Sequence, residues 1–494
     1  MPQLNRRQFL QFTAAATAAG LVLPLGHAQA AETSGEVHAL DLHIVTVTDT
    51  SFTVAWTTYS VGHFPYFKEQ QAAPAATEVY VGPADSSAPL RLVHEDATPR
   101  AFHQVTVEGL EPGRQYRFEC RSNGVVAKPN WVHTTLTDPM TSRGIVTTLQ
   151  RPSGSFVQRI AIMNDTHVGL GEHLVKWTGE TPYSYFLMED NLDLVRTLAP
   201  SVLLINGDVT SEARPHECKK ARQLLDAYGT LNQDYFVTAG NHDRPHRVDE
   251  DRSANYQYSA PLPADALRRS ERGREYHYNF GDWFGISYQT PWTFEVGGLR
   301  IIGADSAMAG NSAGGFFNDD QLEQLRAIHA ADPDRPTLSL CHHPVTDESA
   351  LSAFGSRSFL LDLGDAIEFQ RIQARTPGVF AHLGGHTHRG RRTPSLYAPG
   401  IEYLENPASG EFPCGVTVLD IYTDGAMISH HRPNTERYAG QLLKERWASG
   451  GVLPDYTLYR TDHRNFTFDF DFSGLVAGGG VSRVTGVREP VFNP

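Results

Sequence analysis

Five short apolar runs, each ending in histidine, aspartate or asparagine, constrain this 494-residue chain more than any other feature. Their polar ends read NDTH, NGD, GNHD, CHHP and GGHTH. Stretches with helical spacing, near residues 185–198 and 319–330, lie between them, so the pattern predicts buried strands alternating with helices in an α/β domain. In such domains ligands bind at the carboxyl ends of the strands. We therefore expect the five polar ends to lie together.

Residues 35–137 follow a different pattern, in which apolar side chains occupy every second position. Phe52, Val54 and Trp56 show this alternation. Short alternating runs separated by turn signals predict an all-β sandwich. The sequence VEGLEPGRQYRFECRS resembles the corner of a fibronectin type III domain, and the resemblance implies a fibronectin III-like β-sandwich ahead of the α/β domain.

Residues 1–30 are predicted to be a signal peptide. Arg6 and Arg7 precede an alanine-rich apolar run that ends in a small-x-small cleavage site. NRRQFL resembles a twin-arginine export signal, and because that route carries folded proteins it implies a cofactor inserted before export. A chance arginine pair in a general secretory signal is the alternative. The apolar run is short, so we expect no stable membrane span and a periplasmic, cell-wall or secreted protein.

Composition sets the remaining boundaries and excludes some partners. We predict a linker at 138–157, the α/β domain at 158–432 with an inserted lid at 244–293, and a C-terminal extension without assigned role at 433–494. The net charge of −14 disfavours a nucleic-acid polymer as partner. Four cysteines without a CxxC pair exclude zinc ribbons and thioredoxin-like motifs, and they leave open whether a disulfide forms.

The ends of the five runs supply seven side chains that are able to bind metal ions. They are Asp165, His167, Asp208, Asn241, His342, His386 and His388. This mixed set suits Mn, Fe, Zn or Co better than calcium. Two carboxylates facing two divalent ions leave a cationic centre that binds phosphate and holds a hydroxide nucleophile. The neutral Asn241 completes one ion without cancelling its charge, and Gly384 and Gly385 are expected to bend the chain so that His386 and His388 serve different ions.

The GNHD run also carries the predicted catalytic groups. As an imidazolium, His242 would stabilise phosphoryl oxygens and protonate the leaving alkoxide. Asp243 is predicted to orient His242 and to raise its pKa. Arg244, His246 and Arg389 are candidates for hydrogen bonds to the substrate phosphate, with exposed surface charges as the alternative.

The five runs resemble the D-x-H, GD, GNHD, H and GHxH blocks of calcineurin-like metallophosphoesterases over about residues 159–431. The resemblance implies a layered α/β/β/α sandwich and two divalent or mixed-valence transition metal ions. It assigns one ion to Asp165, His167, Asp208 and His388, and the other to Asp208, Asn241, His342 and His386. Asp208 therefore bridges the ions. His343 has no ligand role in that pattern and is interpreted as supporting or structural.

The resemblance leaves the subfamily open. A leading β-sandwich resembles purple acid phosphatases, but Ser211 stands where they carry a tyrosine ligand and His167 is a histidine they lack, so no iron–tyrosinate site is expected. The ligand set is closer to bacterial phosphodiesterases of the cyclic-nucleotide and glycerophosphodiester type. We expect metal-dependent hydrolysis of phosphate esters, with phosphodiesters favoured. Alternatives are a phosphomonoesterase, an extracellular binding protein with a non-catalytic second domain, and a redox dimetal enzyme, which the missing Glu-x-x-His spacing disfavours.

Overall fold

A computed structural model of the protein describes residues 36–61, 72–129, 138–170, 182–244, 277–308, 313–352, 359–448 and 456–494. These residues form two compact units. The first contains the described residues up to Pro152 together with Met427–Phe468, and the second contains Ser153–Ala426 together with Asp469–Pro494. The predicted signal peptide, His246 and most of the predicted lid lie outside the described residues.

The first unit contains a β-sandwich. Its strands are β1 (Val37–Val47), β2 (Phe52–Ser60), β3 (Ala75–Pro83), β4 (Arg91–Arg100), β5 (Phe102–Val107), β6 (Gln115–Ser122), β7 (Val125–Val126) and β8 (Ile145–Thr147). One sheet has the order β1-β2-β5 and the other β4-β3-β6-β7, and all of their pairings are antiparallel. Phe52 and Trp56 from the first sheet share a core with Val79 and Phe118 from the second, which confirms the predicted sandwich.

Residues 138–157 are not a plain linker, and that prediction is wrong. They contain the short helix α1 (Pro139–Ser142) and strand β8, which pairs with β6 so that Val146 lies opposite Tyr116. Val146 is buried in the sandwich core. The Thr, Ser and Gly content suggested irregular chain, but the apolar pair Ile145-Val146 is sufficient for a short edge strand.

The second unit contains the α/β domain. Its strands, with those that continue its sheets, are β9 (Phe156–Met163), β10 (Val202–Asn206), β11 (Tyr235–Thr238), β12 (Trp292–Val296), β13 (Leu299–Ala304), β14 (Thr337–Cys341), β15 (Val379–Gly384), β16 (Arg391–Arg392), β17 (Glu402–Glu405), β18 (Val416–Tyr422), β19 (Gly425–His431), β20 (Phe466–Asp469) and β21 (Val481–Thr485). One sheet has the order β11-β10-β9-β18-β19-β20 and the other β16-β17-β15-β14-β13-β12-β21. Strands β9 to β11 are parallel to one another, as are β13 to β15, so the carboxyl ends within each group face the same way.

Helices complete the layered α/β/β/α fold. In the second unit they are α2 (Tyr183–Leu198), α3 (Pro215–Tyr228), α4 (His277–Phe284), α5 (Asp319–Ala331), α6 (Asp347–Ser352) and α7 (Leu363–Ala374), whereas α8 (Glu436–Ala448) belongs to the first unit. Helices α2 and α5 confirm the two helical stretches predicted from spacing. Asn318 caps α5 by accepting a hydrogen bond from the backbone N of Gln321. Ile302, Leu325 and Phe369 fix the helices to the second sheet in a shared core, at about 1.5–3 kcal/mol for each fully buried side chain.

All four cysteines are buried free thiols. Within the described ranges, none of the helices combines the length and the apolar character that a membrane-spanning helix requires.

Candidate metal centre

The polar ends of five strands meet at one place in the second unit. Asp165 and His167 follow β9, Asp208 follows β10, Asn241 follows β11, His342 follows β14, and His386 and His388 follow β15. All seven side chains are buried except those of His386 and His388, which are partly buried. The convergence predicted from the sequence is therefore present in the fold.

The first group of donors surrounds His388. One donor atom from each of Asp165, His167 and His388 lies within 4.8 Å of the others. His388 Nε2 lies 3.3 Å from Asp165 Oδ1 and 3.2 Å from His167 Nε2, and His167 Nε2 lies 3.8 Å from Asp208 Oδ2. Two imidazole nitrogens whose lone pairs face each other repel, unless a cation or a proton lies between them. This geometry fits a metal ion bound by the group.

The second group surrounds His342. Donor atoms of Asp208, His342 and His386 also lie within 4.8 Å of one another. His342 Nε2 lies 3.2 Å from both Asp208 Oδ2 and Asn241 Oδ1. His386 Nε2 is buried and has no hydrogen-bond partner among the described residues. A buried nitrogen without a partner is costly, and a metal ion would satisfy it, so this group also fits a metal ion.

Hydrogen bonds at the far ring nitrogens turn two histidines toward the site. His342 Nδ1 donates to the Asn206 carbonyl at 3.2 Å, and His388 Nδ1 donates to Glu411 Oε2 at 2.8 Å. Both acceptors hold a proton on Nδ1, so Nε2 is the ring nitrogen that faces the centre and that a metal ion would bind. Sequence reasoning missed Glu411, because it lies in the loop between β17 and β18, outside the recognisable blocks.

The charges at the centre favour a cation. Burial raises the pKa of Asp165, but His388 and His342 outweigh it and hold the value at about 2. Burial lowers the pKa of His342, but Asp208 and Asp165 raise it to about 9. Burial lowers the pKa of His386 to about 3, which keeps this ring in the neutral form that binds metals. The carboxylates therefore draw positive charge into the site.

The backbone at the site is strained. Five of the seven donors adopt positive φ angles: Asp165 (50°), His167 (44°), Asp208 (48°), His386 (67°) and His388 (56°). Such angles cost about 1–3 kcal/mol each and concentrate at functional sites. The bend expected at Gly384 and Gly385 is instead made by His386 and His388, since neither glycine has a positive φ. Gly385 is needed for space, because a Cβ there would lie 2.7 Å from Asp165 Oδ2.

The GNHD run forms a 3₁₀ turn, Asn241–Asp243, directly after β11. His242 Nδ1 donates to the Ser211 carbonyl at 2.8 Å, and the ring lies edge-on to His167 at 4.8 Å. The backbone N of His242 donates to Asp208 Oδ1 at 2.7 Å. A donor atom of His242 lies within 4.8 Å of donor atoms from His167 and Asp208, so His242 sits at the edge of the centre.

The role predicted for Asp243 is wrong. Its carboxylate accepts hydrogen bonds from the backbone N atoms of Val209, Thr210 and Gly240 at 3.1, 2.8 and 2.9 Å, not from His242. The tight turn directs consecutive side chains to different sides, so Asp243 faces the loop after β10 while His242 faces the centre. The Ser211 carbonyl, which no sequence motif indicates, orients His242.

Two of the predicted substrate contacts, Arg244 and Arg389, lie in buried ion pairs. Arg244 is buried, pairs with Asp305 at 2.5 Å and lies over the ring of Tyr288. Arg389 is buried and donates two hydrogen bonds to Glu405, at 2.6 and 2.7 Å. A guanidinium removed from water needs a carboxylate partner, and these partners occupy the groups expected to reach a phosphate.

His343 supports the site from behind. Its ring is buried, Nδ1 lies 2.9 Å from Ser306 Oγ, and its centroid is 4.5 Å from that of His386. The ring of His343 therefore packs against that of His386, a predicted ligand, in agreement with the interpretation of His343 as a supporting residue.

Comparison with known proteins defines the class of the domain. Residues 158–390 match the family model described as calcineurin-like phosphoesterase, and residues 3–22 match the twin-arginine translocation signal sequence. Somewhat less than half of the chain is therefore similar to a calcineurin-like phosphoesterase domain, and the comparisons support a phosphoric ester hydrolase with a signal that indicates export across the membrane.

Particular relatives share limited identity with this chain. A probable cyclic nucleotide phosphodiesterase from a Synechococcus species is 24% identical over 240 residues, which cover 47% of this chain and 76% of the relative. A 3',5'-cyclic adenosine monophosphate phosphodiesterase from Vibrio vulnificus is 23% identical over 308 residues, 60% of this chain and 92% of the relative. A purple acid phosphatase from yellow lupin seeds superposes with a TM-score of 0.43 at 14% identity, covering 89% of this chain and 76% of its own.

Proposed function

We propose that the protein hydrolyses phosphodiesters at a centre of two transition metal ions. One ion would be held by Asp165, His167, Asp208 and His388, and the other by Asp208, Asn241, His342 and His386, with Asp208 shared. The observation that carries the proposal is the convergence of these donors into two groups, with Asp208 a member of one group and 3.8 Å from His167 of the other. We further propose that residues 158–432 form the catalytic domain of an exported periplasmic, cell-wall or secreted enzyme.

The chain's own residues would position the ester and move one proton. When bound, the two ions would supply Lewis acidity, which neutralises phosphate charge and lowers the pKa of water. The bond from His242 Nδ1 to the Ser211 carbonyl fixes the imidazole and leaves Nε2 for the substrate. A proton at Nε2 would pass to the leaving-group oxygen as a water-derived hydroxide bonds to phosphorus and the ester bond breaks. Asp243 would act indirectly, by holding the loop that carries Asp208.

The charges around the centre support a diester over a monoester. A dianionic monoester gains more from additional cations than a monoanionic diester does. Arg244 and Arg389, the nearest candidates along the sequence, are held by buried carboxylates. Glu411 adds a further carboxylate beside His388. The relatives named as phosphodiesterases agree with this preference.

The test is kcat/KM of the mature chain, starting at Ala31 and supplied with Mn²⁺, on matched substrates. Bis(4-nitrophenyl) phosphate and 4-nitrophenyl phosphate share a leaving group and differ in the second ester. The Asp208→Asn variant serves as the control for contaminating phosphatases. We expect the diester to give the higher kcat/KM. A higher value for the monoester would replace the proposal with a phosphomonoesterase, and bound metal without turnover would favour a binding protein.

A further inference from the structure

Glu411 is placed against the centre by a loop that is tied to the first metal-binding run. The backbone N of Ser409 donates to the Asn164 carbonyl at 2.8 Å, and that of Gly410 donates to the Asp165 carbonyl at 3.0 Å. Gly410 fits there because it has no side chain, since a Cβ would lie 2.4 Å from the Thr166 carbonyl oxygen. The loop is therefore held by the same residues that supply the first ligand.

The contact between Glu411 and His388 has one chemical meaning. An ionised carboxylate only accepts hydrogen bonds, so the 2.8 Å contact requires the proton on His388 Nδ1. His388 Nε2 is then the ring nitrogen that faces Asp165 and His167 and that would bind a metal ion. The negative charge behind the ring makes this nitrogen a stronger donor to a metal ion.

His342, a predicted ligand of the other ion, has no such carboxylate as its Nδ1 partner among the described residues. His342 Nδ1 donates to a neutral backbone carbonyl, that of Asn206, at the longer distance of 3.2 Å. The same ring atom thus faces a charged acceptor in one group and a neutral acceptor in the other. The two ion sites are unequal in the residues that support their histidines.

We propose that Glu411 is a positioning residue that orients His388 and strengthens the binding of only the ion held by Asp165, His167 and His388. The inference rests on the proposed two-ion centre and adds a residue that no sequence block contains. Removal of such a partner typically weakens metal binding by about 10- to 100-fold.

The experiment measures metal binding without substrate. Co²⁺ is titrated into the metal-free mature chain, and both heat and visible absorption are recorded. His167→Ala and Asn241→Ala assign the two binding events, because each removes a ligand of one ion only. Glu411→Gln keeps the shape of the side chain and removes its charge, whereas Glu411→Ala removes the acceptor. Glu402→Gln is the matched control, since Glu402 pairs with Arg392 on the neighbouring strand.

We expect Glu411→Gln to raise the Kd of the event assigned by His167→Ala about 10-fold, and Glu411→Ala to raise it by up to about 100-fold. The event assigned by Asn241→Ala and both events in Glu402→Gln should keep their wild-type Kd. Equal weakening of both events by Glu411→Gln, or no weakening, would overturn the inference. Fewer than two Co²⁺ bound to the wild type would overturn it together with the two-ion centre. Selective weakening in a protein that hydrolyses no phosphate ester would sustain the inference and refute the proposed function.

Discussion

Replacement of Gly240 by alanine tests how tightly the strand ends are packed against one another. A Cβ at Gly240 would lie 2.2 Å from both the backbone N and Oδ1 of Asp208. Favourable contacts lie at roughly 3.5 Å or more, so the overlap exceeds about 1 Å. The carboxylate and the backbone N overlap together, and a side-chain rotation relieves only the first. Asp208 must therefore move as a whole.

The size of the effect follows from that displacement. Overpacking of this kind costs typically about 1–3 kcal/mol of folding free energy. A shift of about 1 Å at a reacting group lowers the rate by about 100-fold. Because Asp208 is proposed to bind both ions, we expect Gly240→Ala to lower kcat about 100-fold and to bind both ions more weakly, while urea denaturation shows a loss of about 1–3 kcal/mol in the free energy of unfolding.

Gly384→Ala is the matched control, since Gly384 also ends a strand at the site. A Cβ at Gly384 would meet Pro344 Cα and the Leu404 carbonyl oxygen at 3.5 and 3.6 Å, which are ordinary contacts. We expect this variant to keep its rate and its metal. If Gly240→Ala matched Gly384→Ala in kcat and in bound metal, the close packing of Gly240 against Asp208 would not govern the site, and the reasoning would be refuted.

Three further predictions concern the shared ligand, the acid and the sandwich. Asp208→Ala should lose both ions and nearly all turnover, as measured by elemental analysis and kcat; retention of both would contradict the shared-ligand assignment. His242→Ala should keep its metal and lose rate mainly with poor leaving groups; an equal loss across a series of aryl esters would remove its role as acid. Burial lowers the pKa of His103 to about 3, so the folded state keeps this ring neutral while the unfolded chain takes up a proton below about 6.5. The stability that the neutral ring contributes is complete above that value and decreases as the pH falls, by about 2 kcal/mol between pH 7 and pH 5. Urea denaturation should show this decrease in the wild type and a smaller one in His103→Gln; equal slopes would exclude His103 as the cause.

The seven donors were predictable because their positions follow from the chain direction of parallel strands. Each follows a buried apolar run, and carboxyl ends of such strands meet at one edge. The run that ends at Asp208 and the run that ends at His342 are far apart in sequence, yet His342 Nε2 lies 3.2 Å from Asp208 Oδ2. Local pattern and strand direction together were sufficient for this part of the site.

The supporting contacts were not predictable, because they depend on how loops pack after the strands have formed. Glu411 reaches His388 from a loop held by hydrogen bonds to Asn164 and Asp165. Arg244 was predicted to reach the substrate because it follows the turn that carries His242. Its side chain instead points into the protein and pairs with Asp305. Sequence neighbours share a backbone position, but burial and charge pairing decide where their side chains point.

The central claim is that two metal ions, held by these donors, make the domain active. The most direct measurement is the rate of bis(4-nitrophenyl) phosphate hydrolysis as Mn²⁺ is added stepwise to the metal-free mature chain. The account predicts no activity without metal and a plateau at two equivalents of bound Mn²⁺ per chain, determined by elemental analysis of the same samples. Activity that survives metal removal, or a plateau at one equivalent, would contradict it.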